Sequence, residues 1–229
     1  MTDLLTQVAT RQDVALSVTG GTDKSNYFLS GSFLDSDGYT LLSKFKRYTG
    51  RLNITSNLKD WLTVGANSSV TFSTSNVPIQ AGSRFSNNVQ YIRSVSSIYP
   101  IYQRNADGSF ILDGSGEKQY DFAENRGFFG NYNPLADTYG NQNKYERSTV
   151  VISPYVELNF SDDLKFKSQF NYTNYLFEGN VFSNLFTGTE QEQIDGRSSQ
   201  KERSTTKSWN VFNTLSYKKT FNEVHNINT

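Results

Sequence analysis

Two successive hairpins between Asp13 and Ser75 alternate apolar and polar residues, and this period of two constrains the fold more than any other feature of the chain. A helix cannot produce a period of two, because its side chains repeat every 3.6 residues. The turns between the runs are short and contain residues that suit tight reversals, as in residues 20–24 (GGTDK). The pattern therefore predicts antiparallel strands, each with one apolar and one polar face.

The last run of this region, residues 61–75, is long for a strand. Its apolar positions are Leu62, Val64, Ala66, Val70 and Phe72. Strands of soluble domains usually hold about 5–6 residues, whereas roughly 9–11 tilted residues cross a bilayer. An apolar face opposite a polar face fits a soluble antiparallel sheet or a membrane barrel, and the length favours the barrel.

Regular alternation resumes at residues 149–160 and continues over residues 164–177 and 207–217, and a further strand opens at His225. Pro154 lies inside one of these runs, and because proline lacks a backbone N–H it predicts a local irregularity in the ladder. The first twelve residues fit either a linker or a first strand. The chain is thus predicted to contain about eight strands.

Turn lengths alternate strictly along the chain. Short turns are predicted at residues 20–24, 57–60, 161–163 and 218–224, and longer connections at residues 35–43, 74–148 and 178–206. Outer-membrane barrels have short periplasmic turns and longer outer loops. We therefore predict an all-β, antiparallel up-and-down meander that belongs to a transmembrane β-barrel, with long outer loops at about 74–148 and 178–206.

The first long loop has predicted structure of its own. Residues 89–97 fit a short helix, and residues 98–104 and 109–112 fit extended segments around a turn at residues 105–108. Aromatic residues of this loop can stack on sugar rings or pack the loop against itself. They are Tyr91, Tyr99, Tyr102, Phe128, Phe129 and Tyr132.

Composition excludes several classes of function. The chain has 22 basic and 22 acidic residues, so charge gives no case for nucleic-acid binding. It has no cysteine, which excludes a disulfide scaffold and a thiolate metal site. The hydrophobic fraction is only 35% although aromatic residues reach 14%, a mixture that fits a barrel with one apolar face and aromatic girdles.

No catalytic or metal site is predicted. One histidine, no cysteine and no triad spacing argue against an enzyme. Residues 35–38 (DSDG) are similar to the opening of a calcium loop, but the glutamate expected at position 12 of that loop is missing, so a turn is the interpretation. We expect no cofactor.

Five ordered pieces of the chain carry a family resemblance. They are residues 16–27 (LSVTGGTDKSNY), 44–53 (KFKRYTGRLN) with 61–67 (WLTVGAN), 97–102 (SIYPIY) with 107–109 (DGS), 133–135 (NPL), and 215–221 (LSYKKTF) ending in 225–226 (HN). In order and spacing these pieces resemble the first part of the barrel in SusC/RagA-type TonB-linked outer-membrane transporters. The resemblance covers nearly the whole chain.

The resemblance implies a TonB-dependent receptor in the outer membrane of a Gram-negative bacterium. Such proteins enclose a plug domain, import oligosaccharides or peptides with energy from TonB, and work with a SusD-type surface lipoprotein. Residues 1–229 would form a partial barrel domain in contact with outer-membrane lipid. The plug, and with it the link to the TonB complex, would be absent from this sequence.

Arg47 and Arg51 lie on the polar face of their predicted strand. On the barrel interpretation they face the lumen, because an arginine on the lipid face costs about 2–4 kcal/mol near the midplane. There they either pair with acidic residues of the plug or contact an anionic solute.

A soluble extracellular β-sandwich that binds glycans is the alternative from another class of protein. It predicts that the apolar faces pack against each other inside a closed core.

Overall fold

The computed structural model describes residues 2–77, 88–95, 99–122, 132–184, 198–221 and 224–229. Over these residues the chain forms one sheet in which the strands follow chain order from β1 to β8 and each pairs with the next in antiparallel register. The predicted all-β up-and-down meander is confirmed. The strands are β1 (Arg11–Gly21), β2 (Ser25–Asp37), β3 (Lys44–Lys59), β4 (Leu62–Asn76), β5 (Gln142–Asn159), β6 (Leu164–Ser183), β7 (Ser198–Phe221) and β8 (His225–Asn228).

The cross-strand register places the apolar residues of successive strands on one face. Directly paired residues of antiparallel strands share a face, and Val18 pairs with Leu29, which pairs with Leu52. The same face continues to the far side of the sheet, where Tyr172 of β6 pairs with Trp209 of β7. The predicted division into an apolar and a polar face therefore holds from β1 to β7.

The apolar face is exposed rather than packed. Leu16 is 77% exposed and Trp209 is 71% exposed, although they lie at opposite sides of the sheet. No second sheet covers this face in the part of the chain that the structure describes. This arrangement disagrees with a β-sandwich, which would bury both residues in its core.

Several strands extend beyond their predicted ends. β5 begins at Gln142 and not at residue 149, and β7 covers Ser198–Phe221 and not only residues 207–217. The added residues are mostly polar, so the apolar alternation that marks a strand in the sequence stops before the backbone ladder does. Ion pairs join neighbouring strands near these ends. Lys44 pairs with Asp35 at 3.3 Å, and Arg203 pairs with Glu178 at 3.2 Å.

Pro154 interrupts the ladder as its missing N–H predicts. Between β5 and β6 the pairing stops after Ile152 and resumes at Tyr155 with the register unchanged. On its other side Pro154 stays in register with Ala66 of β4. The predicted irregularity is thus confined to the pairing of β5 with β6.

The buried core lies outside the sheet. It joins the segment before β1 to the long β4–β5 connection, and its members are Leu5, Tyr91, Val95, Ile101, Tyr132 and Leu135. Three short helices supply some of these residues: α1 (Thr2–Leu5), α2 (Asn88–Ser94) and α3 (Pro134–Gly140). Only α2 falls where a helix is predicted, and the first residues form α1 before β1 begins. Within the described residues no helix is both long and apolar enough to cross a membrane.

Asn133 holds this core together. Its side-chain amide donates to the backbone carbonyls of Ile101 at 2.7 Å and Asp121 at 2.9 Å, and its carbonyl oxygen accepts from the backbone N–H groups of Leu135 and Ala136. The residue is 1% exposed. It therefore caps α3 and also ties that helix to the segments on either side of residues 102–120.

We expect Asn133→Ala to loosen this unit by about 2 kcal/mol, because it removes an N-cap and the side-chain donor to the carbonyls of Ile101 and Asp121. The Ile101 carbonyl keeps one donor, the backbone N–H of Asp121 at 2.9 Å. Hydrogen exchange on the complete protein in detergent should show faster exchange in residues 99–122 and 132–141, with the strands unchanged. Asn105→Ala is the control, since the Asn105 amide makes an exposed bond to Ser109. Unchanged protection in Asn133→Ala would contradict the assignment.

Candidate functional site

The longer connections leave the same edge of the sheet. In a meander every second connection lies at the same end, so the β2–β3, β4–β5 and β6–β7 connections share one rim and the turns after β1, β3, β5 and β7 share the other. We call the first edge the long-loop rim. The aromatic residues of the β4–β5 connection that are candidates for solute contact therefore lie at this rim.

Residues 101–121 form a small protruding unit, here called the loop finger. Its three extended segments are joined by a closed circuit of backbone hydrogen bonds: Gln103 N–H donates to the carbonyl of Gln119 at 2.9 Å, Gln119 to Ile111 at 3.0 Å, and Ile111 to Gln103 at 3.0 Å. Two turns connect the segments, and each needs a glycine with positive φ, Gly108 (86°) and Gly116 (83°). The first two extended segments and the first turn agree with the sequence prediction, and the third segment, around Gln119, was not predicted.

Aromatic and basic side chains stack along the loop finger. Tyr102 stacks on Tyr120 with ring centroids 5.5 Å apart and meets Phe110 edge to face at 6.0 Å. Arg104 and Lys118 each lie 4.1 Å from the Phe110 ring centroid, within cation–π range. Burial raises the pKa of the Tyr102 and Tyr120 hydroxyls, so both remain protonated at neutral pH and can donate hydrogen bonds.

A cavity of about 1050 Å³ opens beside the loop finger. Its aromatic lining is Tyr102, Tyr120 and Phe122, and its polar lining includes Gln103, Asp113, Glu117, Lys118 and Gln119. Aromatic rings beside amide and carboxylate groups can bind a ligand that has both apolar faces and hydroxyl or amide groups. A sugar ring and a peptide both meet that description.

The structure separates the predicted contact aromatics. Tyr102 lines the cavity, and Tyr99, 37% exposed, precedes the loop finger. Tyr132 is 1% exposed and packs against Tyr91 with ring centroids 5.8 Å apart, so its ring is inaccessible to a solute and has the packing role left open in the sequence. Phe128 and Phe129 lie outside the described residues.

Sequence reasoning missed four members of this aromatic and basic cluster: Arg104, Phe110, Lys118 and Tyr120. They lie in a polar stretch without alternation, so no periodic signal separates them from ordinary loop residues. Their proximity to Tyr102 arises only when the segments of the finger pair, as in the bridges Tyr102 to Tyr120 and Leu112 to Lys118.

Arg47 and Arg51 lie on the polar face of β3. Arg47 pairs with Leu34 and Ser73, and Arg51 with Ser30 and Ser69, so their neighbours in register are mostly hydroxyl residues. Both are exposed, and neither forms an ion pair with any residue that the structure describes.

The described residues contain no group of three or more histidine, cysteine, aspartate or glutamate side chains placed to hold a metal ion.

Comparison with known proteins identifies relatives among TonB-dependent receptors. The chain is 28% identical over 98% of its length to the TonB-dependent receptor P39 of Formosa agariphila, and 26% identical over 93% of its length to the TonB-dependent receptor P3 of the same organism. It spans about a fifth of the length of each, 20% in both cases. No family model matches the chain.

Solved structures share the fold. The chain superposes on the RagAB peptide importer in its open-open state with a TM-score of 0.68 at 20% identity, and in its closed-closed state with a TM-score of 0.61 at 18% identity. Each superposition covers 98% of this chain and 24% of the other. The predicted similarity to SusC/RagA-type TonB-linked outer-membrane transporters is therefore confirmed, and the sheet matches one segment of a TonB-dependent receptor barrel.

Proposed function

We propose that this chain forms part of the wall of an outer-membrane transporter that is energised through TonB. The observation that carries the proposal is the exposed apolar face, which continues across seven paired strands with a polar face behind it. Water would penalise so large an apolar surface, whereas bilayer lipid would cover it.

The height of the apolar face supports a membrane position. Between Leu62 and Phe72 the backbone of β4 advances about 34 Å at 3.4 Å per residue, and a strand tilt of roughly 40° converts this advance into about 26 Å of depth. Outer-membrane barrels have an apolar band of about 25 Å.

Aromatic residues border the apolar face. Phe33, Tyr48 and Phe72 form one row toward the long-loop rim, and Trp61 and Phe160 are exposed near the short turns. Lys44 and Lys46 form ion pairs with Asp35 between this row and the long-loop rim. A charged layer next to an aromatic border is what the lipid–water interface requires, because charges lose hydration in the apolar interior.

The proposals on solute, partners and location rest on the similarity to SusC/RagA-type transporters. We propose that residues 1–229 are a partial barrel domain in the outer membrane of a Gram-negative bacterium. A plug domain elsewhere in the complete protein would make the TonB link, and a SusD-type lipoprotein would lie over the long-loop rim. The solute would be an oligosaccharide or a peptide that contacts Tyr99 and Tyr102, and the loop finger cavity supports the second of these contacts.

Transport is tested in cells that carry the complete reading frame encoding this chain. Uptake of fluorescent oligosaccharides and peptides should require both this gene and TonB. Equal uptake with and without TonB would contradict an energised transporter, and absence of uptake from both solute panels would contradict the proposed solute classes.

Lipid contact is tested by two adjacent substitutions. Leu52→Arg places a charge on the apolar face and should lower the free energy of unfolding in lipid vesicles by about 2–4 kcal/mol. Asn53→Arg places the same charge on the polar face and should change it far less. Denaturant titration followed by tryptophan fluorescence measures both variants, and equal effects would rule against lipid on the apolar side.

The orientation is tested by surface labelling in intact cells. Residues 1–229 contain no cysteine, so once any cysteine elsewhere in the complete protein is replaced by serine, a single introduced thiol reports one position. Asn105→Cys in the loop finger should react with a membrane-impermeant maleimide, whereas Asp162→Cys in the β5–β6 turn should react only after the outer membrane is permeabilised. The reverse pattern would invert the proposed orientation.

A further inference from the structure

Three arginines on the polar face, in the long-loop half of the sheet, form no ion pair with a described residue, whereas a fourth, Arg11, pairs with Asp13. Arg47 pairs with Ser73 of β4, and Ser73 pairs with Arg147 of β5, so the two arginines share a row with one hydroxyl residue between them. Adjacent strands lie about 4.8 Å apart, which puts the two backbones about 10 Å apart. Arg51 shares the face about 14 Å further along β3, at 3.4 Å per residue. We call Arg47, Arg51 and Arg147 the arginine triad.

Two aromatic rings contact the guanidinium group of Arg147. The Arg147 guanidinium lies 5.2 Å from the Phe177 ring centroid and 5.8 Å from that of Tyr145, and these two rings stack on each other at 5.9 Å. Cation–π contact limits the positions of the side chain while leaving its N–H donors available. Arg147 is therefore positioned to donate to a ligand.

Acidic neighbours do not neutralise the arginine triad within the described strands. Of the carboxylates on the same face, Asp13 pairs with Arg11 at 3.2 Å and Glu157 pairs with Lys165 at 3.0 Å. Glu202 lies on β7, with Gly179 of β6 between it and β5. The hydroxyl residues around the triad carry no charge, so a net positive potential remains on this face.

We propose that the arginine triad binds a solute that carries carboxylates along its chain, a step that rests on the proposed transport function. Guanidinium groups recognise carboxylates through two parallel N–H bonds, and three groups about 10–17 Å apart suit charges on successive units of an oligomer. Low-dielectric walls around a wet lumen concentrate the field of these charges. The chemistry recognised is the repeated carboxylate, carried by an acidic oligosaccharide or by an acidic peptide.

The test compares each acidic probe with a neutral partner of the same length. Tetragalacturonate is paired with its methyl ester, and hexaglutamate with hexaglutamine, and calorimetry measures their binding to the purified complete protein. At least one acidic probe should bind about tenfold more tightly than its neutral partner, as charge-assisted bonds predict, and the triple variant Arg47→Gln/Arg51→Gln/Arg147→Gln should lose most of that ratio. If the galacturonate pair shows the preference, the solute is an acidic oligosaccharide. If the glutamate pair shows it, the solute is an acidic peptide.

Lys167→Gln is the matched control, because Lys167 lies on the same face and over an aromatic ring, 4.4 Å from the Tyr155 centroid. It should keep the acid preference. Equal binding of acidic and neutral probes by the wild-type protein would overturn the proposal, as would a preference that survives in the triple variant. A triple variant that loses thermal stability and keeps the preference would assign the triad to an acidic segment of the same protein. TonB-dependent uptake of a neutral solute is measured separately, so the two proposals can fail independently.

Discussion

The register of the strand ladder is the constraint on which the rest of the structure depends. Each strand alternates its side chains, so a slip of one residue would move every apolar side chain to the other face. The pairs Leu29 with Leu52 and Tyr172 with Trp209 show that the register is kept from one side of the sheet to the other. Between neighbouring strands the ladder satisfies the backbone groups, so this part of the apolar face can meet lipid without exposing unpaired N–H or C=O groups. Within the described residues β1 is paired on one side only, and β8 pairs with β7 only at Lys218–Phe221.

A second kind of packing governs the long-loop rim. There a small buried core and the four hydrogen bonds of Asn133 fix the loop finger relative to the start of β1. This core contains Leu5 and Tyr132, which are far apart in the chain, so it connects segments that the sheet alone would leave independent. The cavity beside Tyr102 therefore has a stable position at the rim rather than on a free loop.

Charge is distributed differently on the two faces. On the apolar side, most charged residues lie near the strand ends and form ion pairs such as Lys144 with Glu146. Lys207 is the exception in β7, since its register partner is Asn174 and it lies within the face. On the polar side, the arginine triad lies among hydroxyl residues without described acidic partners. This difference is what a wall between lipid and a wet lumen requires, since lipid excludes net charge and a lumen tolerates it.

The sequence by itself determined the two faces, the alternation of short and long connections, the break at Pro154 and the side on which Arg47 and Arg51 lie, because these follow from the local period of two. Tertiary structure alone decided the ends of β5 and β7, since polar pairing extends beyond the apolar pattern. It also decided that Tyr132 is buried while Tyr102 lines a cavity, and that Arg147 stacks on Phe177. These outcomes depend on contacts between residues distant in the chain, which no local period encodes.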